Sequence, residues 1–259
     1  MTMLLAVDGR NIEYRFTGAP SPGRPTIVML HEGLGSVSMW RDFPERLAAA
    51  TQCRVLVYSR YGYGRSSVLA TPRTPDYMHD EARVWLPKVL EHLEVRAPIL
   101  FGHSDGASIS LIYAALPTAA VSGVIALAPH VKVEDITVSS IAAARVAYET
   151  TDLRARLARY HDDVDATFWG WNRIWLDPAF RGWNIEELLP AIRAPVLAIQ
   201  GLDDEYGTLE QVESIRRRRP GTEVLALSKC RHSPHRDQPD AVLAATSAFV
   251  MRVPALPGG

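Results

Sequence analysis

The sequence predicts an α/β fold in which a mostly parallel, doubly wound sheet carries helices on both faces and a helical cap insertion. Short apolar, β-branched runs bounded by turn residues are typical of strands buried on both faces of a parallel sheet. Such runs occur at residues 26–30, 54–58, 98–101, 121–127, 196–200 and 222–227. Segments with helical periodicity lie between several of them, at 40–50, 76–93, 108–116 and 208–219. This alternation indicates helices packed on both faces of the sheet.

The two ends and one long insertion complete the predicted architecture. Residues 3–7 and 12–16 flank the turn dipeptide Asp8-Gly9 and are expected to form a hairpin of antiparallel edge strands, and residues 241–250 predict a closing helix. Residues 131–189 show helical patterns without a convincing strand, and they contain the aromatic residues Phe168, Trp169, Trp171, Trp175, Phe180 and Trp183. We therefore predict a core domain of residues 1–130 and 190–259 and a helical cap insertion of residues 131–189.

Composition excludes several functional classes. Among 259 residues, Lys and Arg number 28 against 29 Asp and Glu, so no polyanionic partner such as nucleic acid is indicated. Two cysteines, Cys53 and Cys230, without metal-ligand spacing indicate neither a disulfide framework nor a structural zinc site. No apolar run reaches the length of a transmembrane helix, and residues 1–10 do not resemble a signal peptide. We expect a cytoplasmic protein that does not bind or span a membrane.

The most informative segment is Gly102-His103-Ser104-Asp105-Gly106, which follows an apolar run and precedes a helical pattern. A serine at a sharp strand-to-helix turn is held in a strained backbone conformation that exposes its Oγ. Side chains two positions before and after the serine would collide with such a turn, which explains both glycines. The following helix directs its N-terminal N–H groups at the place where negative charge develops. Ser104 is therefore the candidate nucleophile.

With these residues, the chain resembles the α/β-hydrolase superfamily over nearly its whole length, in particular serine carboxylesterases with a helical cap. His31-Glu32-Gly33-Leu34-Gly35 follows the first buried strand, where the family has its oxyanion turn. Ser59-Arg60-Tyr61-Gly62-Tyr63-Gly64-Arg65-Ser66 resembles the family's Asp-x-Arg-Gly-x-Gly-x-Ser turn. Gly201-Leu202-Asp203-Asp204 and Cys230-Arg231-His232-Ser233-Pro234 lie where the acid and base belong, in the chain order expected for this fold.

The resemblance implies an oxyanion hole made by the backbone N–H groups of Gly33 and Asp105. Two positions depart from the family pattern. Glu32 replaces a glycine, and Ser59 replaces an aspartate. Because an unpaired buried carboxylate is costly, we expect Glu32 to have a cationic or hydrogen-bonding partner, with Arg60 the nearest candidate.

The acid and base each have competitors. The resemblance implies Asp204, three residues after the glycine, as the triad acid, while Asp203 or Asp204 can instead cap the next helix. An acid near Glu134 or Asp135, after the preceding strand, also stays open. His232 is the expected base, because it lies on a loop between the last predicted strand and a helix. His235 and His130 are the competing histidines, and either can be structural or, for His130, line the pocket.

These assignments predict a covalent cycle without cofactor or metal, in which Ser104 carries the acyl group and His232 moves the protons. The expected partner is a small-molecule substrate, an ester of a small or medium apolar molecule, and a homodimer stays open. We expect the substrate to contact residues of the oxyanion turn, the cap and the loop after the fourth parallel strand, namely Leu34, His130, Trp169, Trp171 and Trp175. The cap aromatics can equally form only the cap's own core. Carbon–carbon bond hydrolysis, acyl transfer and a non-catalytic ligand-binding relative remain alternatives.

Overall fold

The computed structural model describes residues 2–254, and its centre is one sheet of eight strands in the order β1-β2-β4-β3-β5-β6-β7-β8. Strands β3 to β8 run parallel, whereas β2 pairs antiparallel with both β1 and β4. The predicted mostly parallel α/β sheet is therefore confirmed. The strands are β1 (Met3–Val7), β2 (Arg10–Thr17), β3 (Ile27–Leu30), β4 (Val55–Tyr58), β5 (Ile99–His103), β6 (Gly123–Leu127), β7 (Val196–Gly201) and β8 (Glu223–Leu227).

The antiparallel hairpin at the sheet edge follows from its turn residues. Asp8 and Gly9 have φ values of 49° and 76°, the left-handed conformations that a two-residue hairpin turn requires and that aspartate and glycine tolerate. The turn places Val7 opposite Arg10, and the pairing continues to Met3 opposite Tyr14. The hairpin thus covers the edge of β4 and extends the sheet.

Helices cover both faces of the sheet, as the alternating pattern predicts. Successive residues of a strand point to opposite faces, so Ile27 and Met29 of β3 join one buried apolar cluster and Val28 and Leu30 join the other. The first cluster includes residues of α1 and α10, and the second includes residues of α2, α3, α4 and α8. These helices are α1 (Phe43–Thr51), α2 (Tyr77–Asp80), α3 (Leu86–His92), α4 (Asp105–Ala114), α8 (Glu210–Arg218) and α10 (Pro239–Arg252), with a π turn at Glu81–Trp85 joining α2 to α3. The short helix α9 (Pro234–Asp237) directly precedes α10.

Between β6 and β7 the chain forms helices instead of a strand. They are α5 (Asp135–Thr150), α6 (Leu153–Leu157) and α7 (Val164–Trp175), followed by 3-10 turns at Pro178–Phe180 and Glu186–Ala191. The two ends of this segment meet, because the N–H of Ile185 donates to the carbonyl of Val131 at 2.8 Å and Lys132 pairs with Asn184. Its division from the rest of the chain as a cap of residues 131–189 stays a prediction.

Five parallel strands end at the edge of the sheet where the candidate catalytic residues lie. The loops after β3, β5, β6, β7 and β8 carry His31, Ser104, His130, Asp204 and His232. Ligands of open α/β sheets bind in the crevice outside the carboxyl ends of the strands. Within residues 2–254, no helix is both long enough and apolar enough to cross a lipid bilayer.

The packing of α4 against β3 depends on Gly106, which leads to a stability prediction. A Cβ at Gly106 would collide with the carbonyl oxygens of Leu30 and His31, and backbone cannot move aside as a flexible side chain can. We predict that Gly106→Ala lowers the free energy of unfolding by about 2 kcal/mol or more, measured by urea denaturation. A Cβ at Gly182 meets no atom within 4 Å, so Gly182→Ala should unfold like the wild type. Equal stability of the two variants would contradict this account.

Candidate active site

Ser104 forms a sharp bend between β5 and α4. Its backbone has φ 52° and ψ −119°, a conformation that costs an L-residue free energy and persists only when its surroundings enforce it. The N–H of Ser104 donates to the carbonyl of Leu127 on the neighbouring strand at 2.9 Å. A Cβ at Gly102 would collide with the backbone of Gly106 and Ala107, so the bend requires a glycine there. The Ser104 side chain is consequently presented at the end of the sheet.

His232 meets this serine from a loop that follows β8. Its Nε2 lies 2.9 Å from Oγ of Ser104, although 128 positions separate the two residues in the chain. The loop is held in place by His103, whose Nε2 donates to the backbone carbonyl of His232 at 2.7 Å. The residue that precedes the serine therefore also positions the histidine loop.

The carboxylate of Asp204 lies on the other side of the same imidazole. Both Asp204 oxygens are 2.9 Å from Nδ1 of His232. Nε2 of Gln200 and the N–H of Tyr206 each donate to the carboxylate at 2.7 Å, and the N–H of Gly207 donates at 3.2 Å. Burial raises the pKa of Asp204, but the hydrogen bond and charge of His232, together with the N–H of Tyr206, outweigh burial and leave the pKa below its ordinary value. The carboxylate therefore stays ionised beside the imidazole.

The alternative acids do not reach His232. Asp203 is exposed, and its N–H donates to the carbonyl of Cys230 at 3.0 Å. Both oxygens of Glu134 instead accept hydrogen bonds from Thr208, so Glu134 rather than either aspartate holds the start of the α8 segment. The carboxylate of Asp135 pairs with Arg181. Of the four acids considered from the sequence, Asp204 is the one in contact with the imidazole.

The competing histidines occupy different surroundings. His235 is buried against Trp40, with the ring centroids 4.6 Å apart. His130 is also buried, and its ring centroid lies 5.7 Å from that of His232 and 5.0 Å from that of Trp175. Burial, together with the neighbouring His232, lowers the pKa of His130 to about 3. His130 is therefore a neutral wall of the site rather than a second proton carrier at ordinary pH.

The oxyanion turn after β3 is oriented by hydrogen bonds to a single carbonyl. The backbone carbonyl oxygen of Glu32 accepts a hydrogen bond from Nη2 of Arg60 at 3.0 Å and another from the N–H of Gly35 at 3.1 Å. His31 adds a third donor at 2.7 Å, because its Nε2 accepts the N–H of Arg60 and leaves the proton on Nδ1. In a trans peptide the N–H points opposite to the carbonyl, so these three donors direct the N–H of Gly33 the other way, and Gly33 lines the cavity beside Ser104.

The second expected oxyanion donor, the N–H of Asp105, is the first of helix α4 and has no intrahelical acceptor. The Asp105 side chain is turned away from this role. Its Oδ2 accepts the hydroxyl of Tyr77 at 2.7 Å and lies 3.7 Å from Nη2 of Arg60. Arg60 is fully buried and thus contacts both segments that carry the expected oxyanion donors.

The expected pairing of the Glu32 carboxylate with Arg60 is wrong. Arg60 contacts the backbone carbonyl of Glu32, while the carboxylate lies 3.6 Å from Nδ1 of His103. The carboxylate extends over Gly35, where a Cβ would collide with it. Burial raises the pKa of Glu32, but His103 and Arg236 outweigh burial and hold that pKa well below its ordinary value. Glu32 therefore has a partner, as expected, but a different one.

The other departure from the family pattern is Ser59, which stands in place of an aspartate and contacts a glutamate of β2. The Ser59 hydroxyl donates to Oε2 of Glu13 at 2.6 Å and accepts the N–H of Val37 at 2.9 Å. Oε2 of Glu13 also accepts the N–H of Arg65 at 2.9 Å. A carboxylate from β2 thus lies beside Ser59 and joins it to the turn that carries Arg65.

A cavity of about 190 Å³ opens over Ser104. Its wall includes Leu34, His130, Trp171 and Trp175, which we expected to contact the substrate, whereas Trp169, expected there as well, does not line it. Trp169 lies on another face of α7, near Arg145 and Arg173. The remaining lining residues are Glu32, Met39, Ile141, Leu157 and Tyr206, and of these Ile141, Leu157 and Tyr206 lie in no motif that predicts substrate contact. Among residues 2–254, no group of His, Cys, Asp and Glu is arranged to hold a metal ion.

The lowered pKa of His130 predicts a pH-dependent stability. Its imidazole is neutral in the folded chain down to about pH 3, whereas the unfolded chain binds a proton below about pH 6.5. Folding stability should therefore fall as the pH decreases from about 6.5, by up to about 1.4 kcal/mol per pH unit from this residue. In His130→Phe the loss between pH 7 and pH 5, measured by urea unfolding, should be smaller than in the wild type. The exposed His92→Phe is the control and should keep the wild-type loss; equal losses in all three proteins would contradict the prediction.

The sequence matches a known protein family and several known proteins. The family model described as "Alpha/beta hydrolase family" matches residues 27–245. A proline iminopeptidase of Lactobacillus crispatus is 32% identical over 111 residues, and an uncharacterized hydrolase of Bacillus subtilis, YugF, is 32% identical over 105 residues. Each match covers 40% of this chain, but only 35% and 36% of those relatives, respectively, so the similarity spans about a third of their length.

Solved structures show the same fold over nearly the whole chain. A Chitinophaga pinensis alpha/beta hydrolase fold protein has a TM-score of 0.80 at 16% identity, with 97% of each chain covered. The enol-lactonase of Burkholderia xenovorans LB400 has a TM-score of 0.77 at 21% identity, covering 96% of this chain and 100% of that one. Proline iminopeptidase of Mycobacterium smegmatis has a TM-score of 0.73 at 18% identity, covering 97% and 98%. The family model matches well over half of the chain, and the chain therefore belongs to the alpha/beta hydrolase family.

Proposed function

We propose that the protein is a serine hydrolase that cleaves carboxylic esters of small or medium apolar molecules through an acyl-enzyme on Ser104. The observation that carries the proposal is the unbroken hydrogen-bonded series from Asp204 through His232 to Ser104, with 2.9 Å at each step. A serine hydroxyl becomes a useful nucleophile when an adjacent base removes its proton and a third group orients that base. Ser104 and His232 line one cavity, and Asp204 lies behind the imidazole.

In the proposed cycle, Nε2 of His232 takes the Ser104 proton as Oγ attacks the ester carbonyl. The imidazolium then returns that proton to the leaving alcohol, and an acyl group remains on Oγ. A water molecule then gives a proton to His232 and attacks the acyl carbonyl. The imidazolium returns that proton to Oγ of Ser104 as the acid leaves, and the free enzyme is restored. Asp204 keeps the Nδ1 proton in place and stabilises the imidazolium.

The proposed oxyanion hole consists of the N–H groups of Gly33 and Asp105. It is supported by the three donors that fix the Glu32 carbonyl and by the position of Asp105 at the start of α4. Donors that are oriented before the reaction stabilise the developing charge without reorganisation, and one such donor typically contributes about 3 kcal/mol to the transition state.

The lining of the cavity supports an apolar group next to the reacting carbonyl. Besides the catalytic side chains, it consists largely of aliphatic and aromatic residues, namely Leu34, Met39, Ile141, Leu157, Trp171 and Trp175. A volume of about 190 Å³ accommodates a short acyl chain or a single ring.

A second candidate is removal of the N-terminal residue of a peptide. Glu32 lines the cavity, and its low pKa keeps the carboxylate ionised beside His103, so it can bind the protonated amine of such a substrate. The relatives named proline iminopeptidase favour the same candidate. The apolar remainder of the lining favours the ester.

The proposed roles predict a contrast between neighbouring aspartates. Asp204→Asn should lower kcat for p-nitrophenyl butyrate by about 10³- to 10⁴-fold, because the amide favours the wrong tautomer of His232. Asp203→Asn is the matched control, since Asp203 is exposed, and it should stay within about twofold of the wild type. Ser104→Ala should abolish acyl-enzyme formation. Comparable activity of the two asparagine variants would remove Asp204 from the proposed triad.

Paired substrates separate the two candidate reactions. We expect turnover of p-nitrophenyl butyrate and none of L-prolyl-p-nitroanilide. Faster turnover of the prolyl substrate, with loss of that turnover in Glu32→Gln, would select the second candidate. A folded protein that cleaves neither substrate would contradict both.

A further inference from the structure

A second pocket adjoins the catalytic cavity and is lined by arginines. Its volume is about 320 Å³, and its wall consists of Arg41, Arg156, Arg159, Arg236, Tyr160, Met39 and Leu157. Met39 and Leu157 also line the cavity over Ser104, so the two spaces share a wall. Methionine is an unbranched, adaptable side chain, so the Met39 part of this wall can yield to a substrate that extends from one space into the other.

Three of the four guanidinium groups of this pocket make no ion pair within residues 2–254, although the charge of Arg236 also acts on Glu32. No acidic residue lines the pocket, and Arg156 is the one of the four with an ion pair among residues 2–254, to the exposed Asp152 at 3.3 Å. Arg236 is positioned by a hydrogen bond from Nη2 to the carbonyl of Met39 at 3.1 Å. Four like charges around one space repel each other and favour an anion among them. Guanidinium donors in particular match the geometry of carboxylate and phosphate groups.

The backbone at Arg41 is a separate observation that favours a function for this pocket. Arg41 has φ 55° and ψ −125°, nearly the strained conformation of Ser104, and it directly follows the 3-10 turn Val37–Trp40. The strain is held by the bond from the Arg41 N–H to the carbonyl of Ser38 and by Arg15, whose Nη2 donates to the Arg41 carbonyl at 3.2 Å. A non-glycine residue in this region persists only when its surroundings enforce it, and such residues cluster at functional sites.

The two spaces carry opposite charges. Glu32 is ionised in the catalytic cavity, where it disfavours an anion next to the reacting carbonyl. The adjoining pocket carries four arginines. A ligand that fits both spaces has an uncharged reacting end and an anionic group further along.

We propose that the arginine pocket determines specificity for esters that carry a carboxylate or a similar anion remote from the scissile bond. The proposal rests on the esterase function and names its substrate class. Arg41 and Arg159 provide the selective charge, since their side chains make no hydrogen bond or ion pair within the described part of the chain. Arg236 and Arg156 line the same pocket and add two further positive charges.

Matched ester pairs test this inference with the full chain. On the acyl side, monomethyl adipate is compared with dimethyl adipate; on the alcohol side, the butyrate ester of 6-hydroxyhexanoate is compared with hexyl butyrate. In one of the two pairs, kcat/KM for the anionic member should exceed that for the neutral member by about tenfold at low salt. The pair that shows the preference identifies which part of the substrate reaches the arginines. Addition of 0.5 M NaCl should reduce the preference for the anionic ester, because salt screens the attraction between exposed charges. The screening length is already as short as about 10 Å at 0.1 M salt.

The double variant Arg41→Gln/Arg159→Gln should lose the preference for the anion and keep kcat/KM for the neutral esters within about twofold. Arg145→Gln removes an exposed arginine of α5 that lies near Trp169, outside both spaces, and should behave like the wild type. Equal turnover of both members of each pair by the wild type, or a preference that survives the double substitution, would overturn the inference.

A binding measurement distinguishes failure of this inference from failure of the esterase function. Ser104→Ala should bind monomethyl adipate in isothermal titration calorimetry, and the two arginine substitutions in the same background should weaken that binding by about tenfold. Arginine-dependent binding without ester turnover in the wild type would retain the anion site and reject the esterase. Turnover of neutral esters, with no arginine-dependent binding, would retain the esterase and reject the anion site.

Discussion

The strained bend at Ser104 is the constraint on which the rest of the site depends. A conformation with φ 52° is unfavourable by itself, so the surrounding structure has to enforce it. The enforcement comes from the hydrogen bond to Leu127 on β6, and from the close approach of β5 to α4 that Gly102 permits. The same bend starts α4, whose first turn supplies the N–H of Asp105. The proposed nucleophile and one proposed oxyanion donor thus depend on one backbone feature.

Arg60 connects this bend to the oxyanion turn. Its guanidinium is fully buried, contacts the carbonyls of His31 and Glu32 and lies 3.7 Å from Asp105. A buried charge is costly unless it is paired and hydrogen-bonded, and here the partners belong to the two segments that must face each other across the substrate. Removing the guanidinium would leave the buried Asp105 carboxylate with the Tyr77 hydroxyl but without its cationic neighbour. Arg60 therefore positions both segments without contacting the cavity itself.

The sequence predicted the fold well, because the strands buried on both faces are continuous apolar runs and each is bounded by turn residues. It also indicated which serine and which histidine loop meet, since Gly-x-Ser-x-Gly requires a specific backbone shape. It left Asp203 and Asp204 open, because adjacent residues on a loop differ only in the direction of their side chains. The hydrogen bonds from Gln200 and the N–H groups that follow decide that direction, and they appear only in three dimensions.

Two residues lie elsewhere than the sequence led us to expect, and helical and local geometry explain both. Trp171 and Trp175 are four residues apart and share a face of α7, whereas Trp169 lies on another face, so helix periodicity alone would have excluded it from the cavity. Arg60 contacts the backbone carbonyl of Glu32 and not its carboxylate. The sequence suggests that the two residues lie close together, but it does not tell which oxygen of Glu32 the guanidinium contacts. The arginine pocket was not predictable, because its residues come from the turn after β3, from α6 and the residues that follow it, and from the short helix Pro234–Asp237.

The most direct measurement of the central claim is covalent labelling of the folded protein with a fluorophosphonate, followed by intact-mass analysis and peptide mapping. The account predicts a single adduct on the peptide that contains Ser104, and much slower labelling when His232 is replaced by alanine. A folded protein that never labels, or an adduct on a different serine, would contradict the assignment of Ser104 as an activated nucleophile.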